Sequence, residues 1–94
     1  MAKETILHKN IRISGRVQGV GFRYTARSMA SFHGVKGFIR NLPNGDVYLE
    51  IEGENSQVEE YIQWCRHGPP RAKISFIDVY DGEVVGFGEF EVRP

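Results

Sequence analysis

The chain has 94 residues, of which 40% are hydrophobic and 26% charged, and its formal net charge is zero. That length predicts one domain over residues 1–94, with too little chain for a second core, and the composition excludes a disordered or membrane-spanning protein. No apolar run approaches the ~18 residues that cross a bilayer, residues 1–4 lack the apolar centre of a secretion leader, and a single cysteine, Cys65, rules out an internal disulfide and fits a reducing cytoplasm.

Ile11 and Ile13, flanked by Arg12 and Ser14, alternate as a half-buried strand does. A first strand is therefore expected over residues 5 to about 15, behind a loosely organised tail at residues 1–4. Gly15-Arg16-Val17-Gln18-Gly19-Val20-Gly21 follows, with three glycines in seven residues and no acidic side chain. Phe22, Ala26, Met29 and Ala30 share one helical face, and Gly34 stops the helix after His33. Val35, Gly37 and Ile39 then alternate with Lys36, Phe38 and Arg40 in a second strand, and Asn44-Gly45 marks a hairpin turn. In a third strand Val47, Leu49 and Ile51 point inward while Asp46, Tyr48, Glu50 and Glu52 face out, with Gly53 closing it. Ser56-Gln57-Val58-Glu59 reads as a capping box ahead of an inward stripe of Val58, Tyr61, Ile62 and Cys65, with Trp64 on a flank. Gly68-Pro69-Pro70 ends that helix. A fourth strand over residues 72–80 breaks its alternation at Phe76-Ile77, the mark of a bulge. Asp81-Gly82 turns the chain, and Phe87 to Val92 form a short last strand. The order β-α-β-β-α-β plus a short strand is the split βαβ, or ferredoxin-like, α+β arrangement: two helices on one face of a mostly antiparallel sheet. Its charged edge points to a monomer.

A strand, a glycine-rich loop and a helix start together make a ready anion site. Glycine lets the backbone approach a ligand, and a first helical turn leaves its N–H groups unpaired. Arg23 in that turn opposes the helix dipole by about 0.3–1 kcal/mol, and Arg27 one turn on adds like-charge repulsion. A bound anion relieves both, although an ordinary βα turn with exposed arginines accounts for the same residues. Residues 1–40 hold eight Lys/Arg against one Glu, and residues 41–94 hold four against eleven Asp/Glu, so the halves carry +7 and −7. The loop lies in the positive half, as an anionic ligand favours, while the neutral total argues against nucleic acid.

Other chemistries find little support. The glycines at 15, 19 and 21 match neither a dinucleotide fingerprint nor a P-loop. His8, His33 and His67 are far apart and near no paired carboxylate or thiol, so each reads as a surface or helix-end histidine and no metal site is expected. Cys65 reads as a core filler, not a nucleophile, and no Ser-His-Asp or Cys-His signature stands out. Glu50, Glu52, Glu54, Glu59 and Glu60 read as solvated faces. Asn41, at the end of the second strand, is either a turn-former or an amide that positions water. Arg23 is suited to grip phosphate oxygens bidentately.

Ile13-Ser14-Gly15-Arg16-Val17-Gln18-Gly19-Val20-Gly21-Phe22-Arg23 resembles the first signature of the acylphosphatase family at every diagnostic position. Gly37-Phe38-Ile39-Arg40-Asn41-Leu42-Pro43-Asn44-Gly45-Asp46-Val47, followed by Gly53, resembles the second. Ile39 stands where that pattern usually has a smaller residue such as Val or Ala, a matter of local repacking. Gly68-Pro69-Pro70 and Phe90-Glu91-Val92-Arg93 are also similar to the family, so the resemblance spans essentially the whole chain. It implies hydrolysis of acyl phosphates to a carboxylate and inorganic phosphate, without metal, cofactor or covalent intermediate. Arg23 is then expected to hold phosphate with the backbone N–H groups of Arg16, Val17, Gln18, Gly19, Val20 and Gly21, and Asn41 to orient the attacking water. Few apolar residues near the loop imply a broad tolerance for the acyl group. Two other classes share this ground. RNA-recognition modules have the same topology, and Phe38 and Tyr48 are candidates for base stacking, but the charge is wrong and the RNP-type aromatic run is missing. Acylphosphatase-like domains also serve binding or regulation, and begin larger carbamoyl-transferring maturation enzymes of the hydrogenase pathway.

Overall fold

The computed structural model describes residues 5–94, and the tail predicted at residues 1–4 lies outside the described residues. The elements are β1 (Ile6–Arg16), α1 (Phe22–His33), β2 (Lys36–Asn41), β3 (Val47–Glu54), α2 (Asn55–Cys65), β4 (Lys73–Asp81) and β5 (Phe90–Val92). The sheet runs β4-β1-β3-β2-β5, antiparallel throughout except for the parallel pair β2 and β5. This is the expected split βαβ arrangement. α1 packs on β2 and β5, and α2 on β1 and β3. Between helices and sheet lie Ile11, Ile13, Ile39, Val47, Leu49 and Ile51, all fully buried. Left-handed glycines bracket α1, Gly21 (φ 78°) before it and Gly34 (φ 74°) after it. Phe22 opens the helix and packs edge-on against Trp64 of α2 at 5.4 Å, a burial contributing about 1.5–3 kcal/mol. The Tyr61 hydroxyl donates to the Ala26 carbonyl at 2.9 Å, tying the two helices together. Cys65 is fully buried, and burial pushes its thiol pKa far up, so it is a core residue as expected.

Several local expectations need correction. β3 continues through Gly53 to Glu54 and runs straight into α2, so the helix begins at Asn55, ahead of the Ser56 box. Its cap uses Gln57 Oε1, which accepts the Glu54 backbone N–H at 2.9 Å. The irregularity in β4 is a bulge at Ser75: Ser14 pairs with Phe76 and Gly15 with Ile74. Ile74, Ile77 and Val79 therefore pack against the core while Phe76 turns outward. Opposite that bulge Gly15 has φ 128°, and a Cβ there would lie 2.1 Å from the Lys73 carbonyl oxygen and 2.7 Å from the Ser75 nitrogen. Backbone atoms cannot yield as a side chain does, so Gly15→Ala is expected to lower stability by about 3 kcal/mol or more. Urea denaturation of the variant measures it.

The last strand is shorter than the sequence suggests, because Phe87 leaves the sheet plane. Residues 82–89 carry the chain from β4 at one edge to β5 at the other, across the face that the helices leave open. This strap is held by Glu52, which accepts backbone N–H groups from Val85 at 2.5 Å, Gly86 at 3.0 Å and Phe87 at 3.1 Å. The Phe87 ring stacks on His8 at 5.8 Å and meets Phe38 edge-on at 5.9 Å. His8, Glu52 and Phe38 are consequently buried and not solvated, and Phe38 is not free to stack a base. His8 Nδ1 lies 2.7 Å from Glu52 Oε2, and its Nε2 lies 3.1 Å from Glu50 Oε1 and 3.2 Å from Asn10 Oδ1. All three partners are acceptors, so the imidazolium with both nitrogens protonated satisfies the site best.

Burial alone would lower the His8 pKa, but the hydrogen bonds to Glu52 and Asn10 and the charges of Glu50 and Glu52 outweigh it and leave the pKa raised. For Glu52 burial would raise the pKa, and the His8 bond with the three strap N–H groups leaves it lowered. The signs follow by linkage. His8 contributes stability that is complete below its ordinary 6.5 and lost as pH rises through its raised folded value. Glu52 contributes stability present above its ordinary 4.5 and lost as pH falls through its lowered folded value. Chemical denaturation across pH is expected to show both flanks, and His8→Gln is expected to remove the alkaline one.

Candidate active site

The 17–21 loop leaves β1 at one end of the sheet and delivers the chain to α1. Val17 and Val20 are buried and pin it to the core. Gly19 (φ 74°) and Gly21 (φ 78°) are left-handed, and a Cβ at either would meet nothing within 4 Å. Glycine is required there by backbone conformation, not by packing. Among the described residues, no backbone N–H of residues 17–21 finds a protein acceptor. Gln18, expected to contribute to phosphate binding, uses its side chain elsewhere: Nε2 donates to the Leu42 carbonyl at 2.8 Å and the Asp46 carbonyl at 2.9 Å. It fastens the loop to the β2–β3 hairpin, beside Asn41. That hairpin is shaped by Asn44, whose Oδ1 accepts the Asp46 N–H at 3.0 Å.

Asn41 is the last residue of β2, opposite Val47. By strand alternation it lies on the same face as Ile39, toward the helices. Its Oδ1 is buried and, among the described residues, has no hydrogen-bond donor. Arg23 is half-buried in the first turn of α1, and its Nη1 donates to the Arg93 carbonyl at 3.2 Å. Arg93 in turn donates its own N–H to the Ile39 carbonyl at 2.8 Å, two residues before Asn41. The Arg23 guanidinium, the Asn41 amide and the loop thus meet at one corner of the molecule. α1 has no acidic residue in its first turn to offset Arg23. Arg16 is exposed, opposite Lys73 across the β1–β4 ladder, and makes no ion pair with any described residue. This corner therefore offers N–H donors, unpaired cations and one buried acceptor, the complement of an anion with a water beside it.

The Arg93 carbonyl and the Gln18 amide were not legible as parts of this corner, because both act through a strand end and a turn far away in sequence. Among the described residues no group of three or more His, Cys, Asp or Glu is arranged to hold a metal, and no helix is long and apolar enough to cross a membrane.

Fold and corner together define a class: a split βαβ protein with a glycine loop and a cation at the start of its first helix. The chain belongs to the acylphosphatase family, whose pattern matches residues 9–92. An acylphosphatase from Acaryochloris marina is 46% identical over 80 residues, covering 85% of this chain and 86% of that one. The structure of an acylphosphatase from Coxiella burnetii superposes with a TM-score of 0.92 at 32% identity, covering 99% of this chain and 100% of the other. Full-length HypF, solved in a phosphate- and nucleotide-bound form, is similar at TM-score 0.88 and 30% identity; the match covers 99% of this chain but 12% of that protein.

Proposed function

We propose that this chain is a free-standing, metal-independent acylphosphatase of the cytoplasm, hydrolysing the carboxyl–phosphate bond of acyl phosphates. The observation that carries the reading is the buried, donor-free Asn41 Oδ1 beside a loop of unpaired N–H groups and the Arg23 guanidinium. The loop N–H groups and Arg23 hold the phosphoryl oxygens, and Asn41 Oδ1 accepts one hydrogen of a water, turning its lone pair toward phosphorus. The water oxygen bonds to phosphorus, the phosphorus–acyl oxygen bond breaks, and the carboxylate leaves with that electron pair. The water's proton passes to a phosphoryl oxygen. A carboxylate is a good leaving group, so positioning and charge stabilisation suffice without an enzyme base.

Hydrolysis in ¹⁸O-labelled water tests this route. The label is expected in inorganic phosphate, and its appearance in the carboxylate would place attack at the acyl carbon and remove the role assigned to Asn41. The likeness to HypF favours a second reading, a domain that binds an acyl phosphate such as carbamoyl phosphate without turning it over. It predicts phosphate binding without hydrolysis.

A further inference from the structure

We propose that Glu52 and His8, on the open face of the sheet, are positioning residues for Arg23, acting through the strap and the last strand. This rests on the role given to Arg23 above. β5 has three residues and pairs with β2 alone, at the sheet edge. So short a parallel edge strand does not fix its own register. Two contacts from the strap fix it. Glu52, 5% exposed, gathers three successive strap N–H groups, and Phe87 closes over His8 and Phe38. Phe38 also carries the Arg93 guanidinium 3.9 Å above its ring. From there the chain is continuous: Gly37 donates to the Glu89 carbonyl at 3.0 Å, Arg93 donates to the Ile39 carbonyl at 2.8 Å, and the Arg93 carbonyl accepts from Arg23 at 3.2 Å. A slip of β5 by one residue would move that carbonyl about 3.3 Å, beyond hydrogen-bond reach of the guanidinium. His8 acts as the counter-ion that keeps Glu52 an anion while buried, since a buried carboxylate is retained only when paired.

The full chain carrying Glu52→Gln, Arg23→Ala or both tests this, with inorganic phosphate as the probe in titrations followed by ¹H–¹⁵N spectra. Glu52→Gln is expected to weaken phosphate binding about tenfold and to raise KM for benzoyl phosphate alike, with kcat within about twofold. In the Arg23→Ala background it is expected to change phosphate binding by less than about twofold, because its effect runs through the guanidinium. Equal effects in both backgrounds would mean a general structural role and overturn the inference, as would unchanged phosphate binding in a folded Glu52→Gln. If Glu52→Gln does not fold, His8→Gln takes its place in the same cycle with the same criteria. Failure of the reading beneath it looks different: Arg23→Ala alone would then leave phosphate binding unaltered.

Discussion

Asn41→Ala is expected to lower kcat for benzoyl phosphate by about 10²–10³-fold, with KM and phosphate affinity close to wild type. The amide touches only the water, so its loss removes orientation in the transition state and leaves ground-state binding intact. Stability gives an independent readout. A buried acceptor without a donor costs about 1–3 kcal/mol, and Asn41 Oδ1 is in that position among the described residues. The alanine variant is therefore expected to melt no lower than wild type. A residue that kills turnover on removal while leaving stability unchanged or higher is held for function. Turnover within about tenfold of wild type would return Asn41 to the role of a turn-former.

Arg23→Ala is expected to weaken inorganic phosphate binding and kcat/KM by about 10²-fold or more, since each charge-assisted hydrogen bond to an anion contributes about 1.5–3 kcal/mol. Arg23→Lys is expected to recover only part of this, because an ammonium cannot present two parallel N–H groups. The free protein again moves the other way. Arg23 sits in a first turn that has no acidic residue, so removing the cation relieves about 0.3–1 kcal/mol of dipole repulsion. That gain is offset in part by the lost bond to the Arg93 carbonyl. Isothermal titration with phosphate and thermal melting separate the two effects. Unchanged phosphate affinity in a folded Arg23→Ala would leave the corner without its principal anion contact.

What the sequence could disclose was local. α1 falls where Gly21, the apolar stripe and Gly34 put it, because two left-handed glycines bound a helix whatever surrounds them. β3 is legible from the alternation of Val47, Leu49 and Ile51. The same alternation misplaces Glu52 and Phe38, which sit at outward positions and are buried only because residues 82–89 cross the open face. Nothing in that segment's own pattern announces a crossing, and so Phe87 reads as part of a strand. His8 reads as an isolated histidine for the same reason, its partners Glu50 and Glu52 lying on another strand. At the corner, Arg23 and Asn41 stand out by residue type and place. The groups that bring them together, the Gln18 amide and the Arg93 carbonyl, are tertiary contacts with no signature of their own.

The most direct measurement is the rate of benzoyl phosphate hydrolysis with EDTA present, wild type beside Arg23→Ala and Asn41→Ala. Metal-independent turnover in the wild type, with binding lost in one variant and kcat lost in the other, is the expected result. A folded wild type that binds phosphate but does not hydrolyse the substrate, or turnover that survives both substitutions, would contradict it.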